Sequence, residues 1–357
     1  MASITFKNVT KKYPNGFHAV TNFNLEIKEG EAVVFLGPSG CGKSTTLRMI
    51  AGLEEITSGE LYIGDKLAND IKPKNRDATM VFQGYALFPY MTAFENIAFG
   101  LKPKEFPEAE IRRRVEEIAG IMNCSHLLER KPNELSGGQR QRVALCRALI
   151  SERKVVLLDE PLSNLDAKLR HYMRAELMKM HQKFAKTFVY VTHDQHEAMG
   201  IANRIVLMRA GVIQQVDTPE KLYTHPCNLF TAGFLGTPQM NLWETEITEE
   251  NNVLYGHLGQ LKIPVPKERL AGYLGKEIVI GIRPDDIHID ETGFEVNVKL
   301  SIYNGRERQL DLDFGGDFEI TTLVSSNYTI KTGDKVKISI PSEKIYLFDK
   351  DTEIALY

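Results

Sequence analysis

Residues 32–44 read Ala32-Val33-Val34-Phe35-Leu36-Gly37-Pro38-Ser39-Gly40-Cys41-Gly42-Lys43-Ser44. An apolar run ends there in a glycine-rich loop closed by Lys-Ser. The run predicts a strand over 31–36, and the pattern over 44–51 predicts a helix. The G-x-x-x-x-G-K-[ST] spacing between them has a mechanical meaning. Glycines let backbone N–H groups wrap a polyphosphate, and the helix N-terminus adds partial positive charge. Lys43 is then placed to neutralise β- and γ-phosphates, and the Ser44 hydroxyl to ligate Mg²⁺. An ordinary glycine-rich turn before a helix is the competing reading.

Moving outward, strand-like runs at 154–158, 187–192 and 204–208 alternate with helical patterns. Ile111, Val115, Ile118 and Met122 recur at three- and four-residue steps, as do Leu169, Met173, Leu177, Met180 and Phe184. Such alternation argues for a mainly parallel sheet covered by helices. The run Val155-Val156-Leu157-Leu158 is continuous, as expected of a strand buried on both faces. It delivers Asp159-Glu160 to a carboxyl end, where open α/β sheets bind ligands. Asp159 is placed to hold Mg²⁺ through water, and Glu160 to polarise an attacking water. Gln83 ends the short apolar run Met80-Val81-Phe82, and His193 ends the run 187–192, so both belong to the same edge. Leu135-Ser136-Gly137-Gly138-Gln139 precedes another helical pattern, with Ser136 as N-cap and exposed N–H groups able to take an anion. Taken alone, it is a capped helix start.

The chain has 357 residues, 43% of them hydrophobic and 25% charged, with a net charge of −3. That composition excludes disorder, collagen and a disulfide scaffold. No uncharged run is long enough to span a membrane, and MASITFKNVT lacks the layout of a secretory signal. Cys41, Cys124, Cys146 and Cys227 are scattered without metal spacing, so they read as thiols in a reducing cytosol. Residues 236–357 carry 13 basic and 21 acidic side chains, a balance of −8, whereas the first 235 carry 31 and 26, or +5. Two domains follow, 1–235 and 236–357. Arg112-Arg113-Arg114 is flanked by Glu108, Glu110, Glu116 and Glu117, which favours a solvated helix face over nucleic acid.

The loop at 37–44, Leu135 to Gln139, Asp159-Glu160, Ser163-Asn164-Leu165-Asp166 and His193 stand in an order that resembles the nucleotide-binding domain of ATP-binding cassette (ABC) transporters. The resemblance covers residues 1–235. It implies an α/β P-loop NTPase fold with an α-helical subdomain at about 85–150. It also implies an ATP site of Gly37, Pro38, Ser39, Gly40, Cys41, Gly42, Lys43, Ser44 and Thr45, with Ser44, Gln83 and Asp159 around Mg²⁺. Glu160, His193 and Gln83 would be catalytic, and Tyr13 would stack on adenine; a turn at Pro14-Asn15-Gly16 suits that, although a core tyrosine is the alternative. Ser136, Gly137, Gly138, Gln139 and Asp166 would meet ATP held by a second ATPase subunit in a head-to-tail homodimer. Two transmembrane permease subunits would dock near residues 85–99, with Tyr85, Leu87, Phe88, Tyr90 and Met91 as contacts, at the cytoplasmic face of the membrane. Core packing explains part of that aromatic run equally well. An extracytoplasmic solute-binding protein would act indirectly.

Beyond residue 235 the texture changes to short alternating segments, at 261–265, 277–282, 336–340 and 344–348, broken by Gly, Pro, Asn and Asp. A small all-β barrel or sandwich follows. Gly281-Ile282-Arg283-Pro284-Asp285-Asp286 and the stretch from Ala232 to Asn241 resemble the oligomer-binding-type β domain of carbohydrate-importer ATPases. That resemblance implies a regulatory or dimerisation domain. Two departures stand out: Asp285 where the family usually has Glu, and Tyr303-Asn-Gly-Arg-Glu-Arg308 where it more often has Leu-Gly. The resulting expectation is the ATPase of a sugar importer. The alternatives are the same role for glycerol phosphate, polyamines or inorganic ions and, more remotely, a soluble ABC ATPase acting on nucleic acid.

Overall fold

A computed structural model describes residues 2–101, 106–163, 165–259, 261–267, 270, 272–315 and 318–357. The chain divides into two compact units, Met1–Glu220 and Lys221–Tyr357. The division falls fifteen residues before the change of sequence texture at 235, and a short helix, Leu229–Phe234, belongs to the second unit.

In the first unit the described strands form two sheets. A six-stranded sheet runs in the order β10 (Val212–Asp217), β9 (Arg204–Arg209), β3 (Ala32–Leu36), β8 (Thr187–Thr192), β7 (Val155–Asp159), β6 (Ala78–Val81). All its pairs are parallel except β10 with β9. Every residue of β3, β7 and β8 is buried. These strands are covered on both faces, which is why their sequences show no alternation.

The second sheet is antiparallel: β2 (His18–Ile27), β1 (Ile4–Lys12), β4 (Ser58–Ile63), β5 (Lys66–Leu67). Its strands show no unbroken alternation in the sequence, because the β1–β2 register shifts between Phe6 and Val9. One apolar core joins the two sheets through Ile4, Phe6, Phe23, Phe35, Leu47 and Val191. The Phe6–Phe23 rings meet edge-on at 4.9 Å and Phe23–Phe35 at 5.9 Å, a favoured geometry for buried aromatics.

The helices are α1 (Lys43–Ala51), α2 (Ala93–Ala98), α3 (Glu108–Ile121), α4 (Gly137–Ile150), α5 (Ala167–Phe184) and α6 (Gln195–Ile201). On α3, Ile111, Val115 and Ile118 are buried. The three arginines lie on its solvated side, where Arg113 pairs with Glu110 at 2.9 Å and Arg114 with Glu110 at 2.6 Å.

In the second unit the described strands form three small antiparallel sheets. They are β11 (Asn241–Glu246) with β15 (Glu277–Ile282) and β20 (Tyr346–Asp349); β12 (Thr248–Glu250) with β13 (Val253–Leu258) and β14 (Leu261–Val265); and β18 (Glu319–Ser325), β17 (Glu307–Asp313), β16 (His288–Tyr303) and β19 (Lys335–Ser339). A single cluster containing Trp243, Ile280, Leu310, Ile320, Ile338 and Leu347 fills the space between them. Arg283 is 1% exposed, donates to Leu235 O at 2.8 Å and to Tyr223 O, and lies 3.5 Å over the Tyr223 ring.

Helix α1 ends against another buried cation. Arg76 is 4% exposed and donates to Met49 O at 2.6 Å, Ile50 O at 2.9 Å and Ile71 O at 2.8 Å. It thereby satisfies carbonyls that the helix end leaves open. Gly52 makes room for it, since a Cβ there would meet Arg76 Nε at 2.5 Å. Replacing Arg76 with Ala strands those carbonyls and should cost about 3 kcal/mol. The measurement is thermal unfolding, with Tm expected to fall by roughly 6–12 °C for a unit of this size.

Candidate functional site: a phosphate loop and a catalytic edge

The loop after β3 depends on glycine at two points. Gly37 has φ 152° and Gly42 φ 100°; a Cβ would lie 2.2 Å from Met208 O at the first and 2.3 Å from Ala19 O at the second. Neither the backbone angle nor the space admits a side chain. Pro38, Ser39 and Gly40 form the exposed rim, Cys41 is buried beneath it, and Thr45 is half-buried in the first turn of α1. Burial pushes the Cys41 thiol up. Lys43 is 5% exposed and donates to Gly37 O at 2.7 Å and Pro38 O at 2.8 Å. A buried ammonium held by carbonyls of its own loop is a cation suited to an anion.

The opposite wall is the end of β7. Ser44 Oγ donates to Asp159 Oδ1 at 2.8 Å. Asp159 is 4% exposed, and burial pushes its carboxyl up, opposed by the Ser44 bond and by Arg48 at 4.0 Å.

Glu160 has left the strand with φ 46°, while its N–H still donates to Val191 O at 3.0 Å. Its two carboxylate oxygens point different ways. Oε2 accepts from Gln83 Nε2 at 3.1 Å, and Oε1 lies 3.2 Å from His193 Nδ1, which donates when that nitrogen carries the proton. The expected residues Gln83, Glu160 and His193 thus converge from the ends of β6, β7 and β8. Among the described residues no three His, Cys, Asp or Glu side chains gather as a metal cage. The hard oxygen donors here are Ser44 and Asp159.

A second cluster surrounds the start of α4. Ser136 Oγ accepts from Gln139 N at 3.4 Å, and Gln139 Oε1 accepts from Ser136 N at 2.9 Å, a complete capping box. Gly137 faces open space, whereas a Cβ on Gly138 would press on Leu169 at 2.8 Å and Leu165 at 3.0 Å. Asp166 caps α5, accepting from Leu169 N at 2.9 Å. The cap at Ser136 and the turn before Asp166 are therefore packed together; Asn164 of that turn lies outside the described residues.

Tyr13 sits in a turn, its hydroxyl 3.3 Å from Glu54 and Lys11 Nζ 5.0 Å from its ring. It is half-buried, with Phe17 stacked at 6.4 Å, nearly parallel and 54% exposed. Sequence reasoning missed Phe17; an aromatic four residues on, across a Pro-Asn-Gly turn, was the available signal.

The segment following Gln83 leads into a groove of about 810 Å³ lined by Met80, Phe82, Ala86, Phe88, Phe99 and Arg147. Arg147 of α4 donates to Tyr85 O at 3.0 Å and Ala86 O at 2.9 Å, pinning this segment to the helix. Tyr90 is 91% exposed, while Leu87 and Met91 are half-buried. Tyr85 corrects the expectation of a surface contact. With φ 65° it turns inward and is 7% exposed, so its ring presents nothing to a partner. Phe82 and Phe99 line the groove in its stead.

The ABC transporter family model matches residues 20–163, the MalK OB fold domain 236–287 and the TOBE domain 280–348. Oligosaccharides import ATP-binding protein MsmX of Bacillus subtilis (strain 168) is 44% identical, with all of both chains covered. The sn-glycerol-3-phosphate import ATP-binding protein UgpC of Psychromonas ingrahamii is also 44% identical, over 99% of this chain and 95% of its own. Among solved structures, the post-hydrolysis dimer of the ATP-binding cassette MJ0796 bound to ADP and Pi is 37% identical over 60% of this chain and 98% of its own, with a TM-score of 0.56. A cassette carrying this loop and edge, followed by MalK-type OB and TOBE segments and related along its whole length to such proteins, belongs to the ATP-binding proteins of the ABC transporter family.

Proposed function

We propose that this chain hydrolyses ATP to energise the import of sugars or oligosaccharides. It works as a homodimer at the cytoplasmic face of the membrane, coupled to two transmembrane permease subunits. The observation that carries the chemistry is Glu160, gripped by Gln83 and His193 beside the Ser44–Asp159 pair. Lys43 exchanges its two loop carbonyls for phosphate oxygens, and the N–H groups of the loop wrap the polyphosphate. Ser44 and Asp159 suit Mg²⁺, a hard cation that takes few protein oxygens and relies on phosphate and water for the rest; Gln83 is the third candidate ligand. When bound, the ion neutralises charge on the terminal phosphates.

Glu160 accepts a hydrogen bond from the attacking water and aims it at the terminal phosphorus, giving ADP and phosphate. His193 holds the other carboxylate oxygen and contacts the γ-phosphate. Tyr13 stacks on adenine. Ser136, Gly137, Gly138, Gln139 and Asp166 face ATP held by the second copy, so ATP closes the pair. The groove beyond Gln83 suits an amphipathic helix of the permease, with Phe88 and Tyr90 at its mouth. No described helix is long and apolar enough to cross a membrane; the proposed permeases supply that passage. Residues 236–357 serve dimerisation or regulation. The carbohydrate reading takes its support from what MsmX is named for, and a solute-binding protein outside the membrane supplies the cargo.

Glu160→Gln keeps the shape of the site and removes the acceptor charge. It should retain ATP affinity and lower kcat by at least about 100-fold, read in a phosphate-release assay; near-normal turnover overturns the site assignment. For the cargo, ATP hydrolysis is followed in vesicles holding the co-purified permease. Sugar-loaded binding protein should stimulate it. Stimulation by a glycerol phosphate-loaded protein alone would replace the carbohydrate reading.

A further inference from the structure

The residues on either side of His193 are tied to a buried carboxylate. Glu197 on α6 is 3% exposed, and its Oε2 accepts from Tyr190 Oη at 2.7 Å and Thr192 Oγ1 at 2.9 Å. Thr192 Oγ1 in turn accepts from Asp194 N at 3.0 Å. Asp194 caps α6 through His196 N at 2.8 Å and Glu197 N at 3.2 Å. His193 is therefore the exposed middle of three residues whose outer two are fixed.

One guanidinium reaches this knot from α5. Arg170 donates through Nη1 to Asp194 Oδ2 at 3.4 Å and through Nη2 to Leu165 O at 2.9 Å, the carbonyl before Asp166. Its Nε lies 3.8 Å from Glu197 Oε1, is buried, and makes no hydrogen bond. A buried carboxylate tied to a partly buried cation is costly to keep, and hydrophobic packing of equal volume would cost less. Burial pushes the Glu197 carboxyl up, against the two hydroxyls that favour its charge.

We propose that Arg170, Asp194 and Glu197 form a positioning network that holds His193 against Glu160 and ties that contact to the turn bearing Asp166. The three residues of the network are positioning residues. It acts through the strand end, where His193 Nδ1 meets Glu160 Oε1 at 3.2 Å. Movement of the Asp166 turn is passed by Arg170 to both flanks of His193. This rests on the hydrolytic reading of Glu160 and His193 given above.

The test uses the full-length chain with ATP in single-turnover mode, so that slow variants are still read. Glu197→Gln should lower the rate about tenfold while the ATP concentration for half-maximal rate stays within about twofold. In a His193→Ala background the same substitution should cost nothing more, because residues acting through one group are not additive. Arg170→Ala should behave likewise and Arg170→Lys should recover most of the rate. Because Arg170 is one-third exposed, this pair carries the test if Glu197→Gln does not fold. Losses that multiply on His193→Ala, an unchanged rate, or a loss confined to ATP affinity would overturn the network. Glu160→Gln, run alongside, separates the two readings: if it turns over normally the hydrolytic site itself is wrong, and if it is slow a multiplicative result faults the network alone.

Discussion

A single backbone hydrogen bond, from Glu160 N–H to Val191 C=O at 3.0 Å, holds the site in place. It continues the β7–β8 ladder one step past the pair Asp159↔Val191, while φ 46° turns the Glu160 side chain off the strand. Strand β3 is in register with β8 at Leu36↔Thr192. Three parallel strands thus stop at one level, and Gly37, Glu160 and His193 leave them at one edge. A slip of one residue in β7 would exchange the faces of Asp159 and its neighbours and separate Glu160 from both partners.

What could be read in the sequence was what a strand or helix shows locally. The buried runs of β3, β7 and β8 and the stripe of α5 appear within a residue or two of their observed ends, and the α3 stripe within three. The antiparallel sheet did not appear, for a physical reason. Asn8 and Asn22 take positive φ, and the β1–β2 register shifts between Phe6 and Val9. The bulge breaks the two-residue period, and Lys7, Asn8 and Asn24 interrupt the apolar pattern. At the site, each segment could be recognised by composition. The closure of Gln83 and His193 on opposite oxygens of Glu160 could not, because it joins residues 77 and 33 positions apart.

The second unit shows the same division between core and tip. The departure at Tyr303-Asn304-Gly305-Arg306 is the β16–β17 turn, with Gly305 at φ 87° and Asn304 N donating to Glu307 O at 2.9 Å. Tyr303 there is 62% exposed. The difference lies at a hairpin tip and leaves the packed interior alone. The Asp285 position accepts from the Tyr223 hydroxyl at 3.4 Å and adjoins Asp286, which pairs with Lys344 at 3.1 Å. A shorter carboxylate serves that surface contact.

Several buried or half-buried cations in the first unit rest on backbone carbonyls, and comparing them isolates the one best placed to meet an anion. Arg76 closes the end of α1, Arg147 pins the chain after Gln83, and Lys186 donates to Leu149 O at 3.0 Å and to Ser151 O at the end of α4. Burial pulls Lys186 down to about 8. Each of these holds two or more carbonyls at a chain turn or helix end, so releasing the cation would cost hydrogen bonds worth kilocalories in sum. Lys43 differs in place alone. Its carbonyl partners belong to the loop whose rim, Pro38 to Gly40, is exposed, so water or an incoming anion can take over both sides of the exchange. The loop carbonyls thus serve as a stand-in ligand that keeps a buried charge tolerable and still lets it go. That is the property a phosphate site requires and a structural cap must lack.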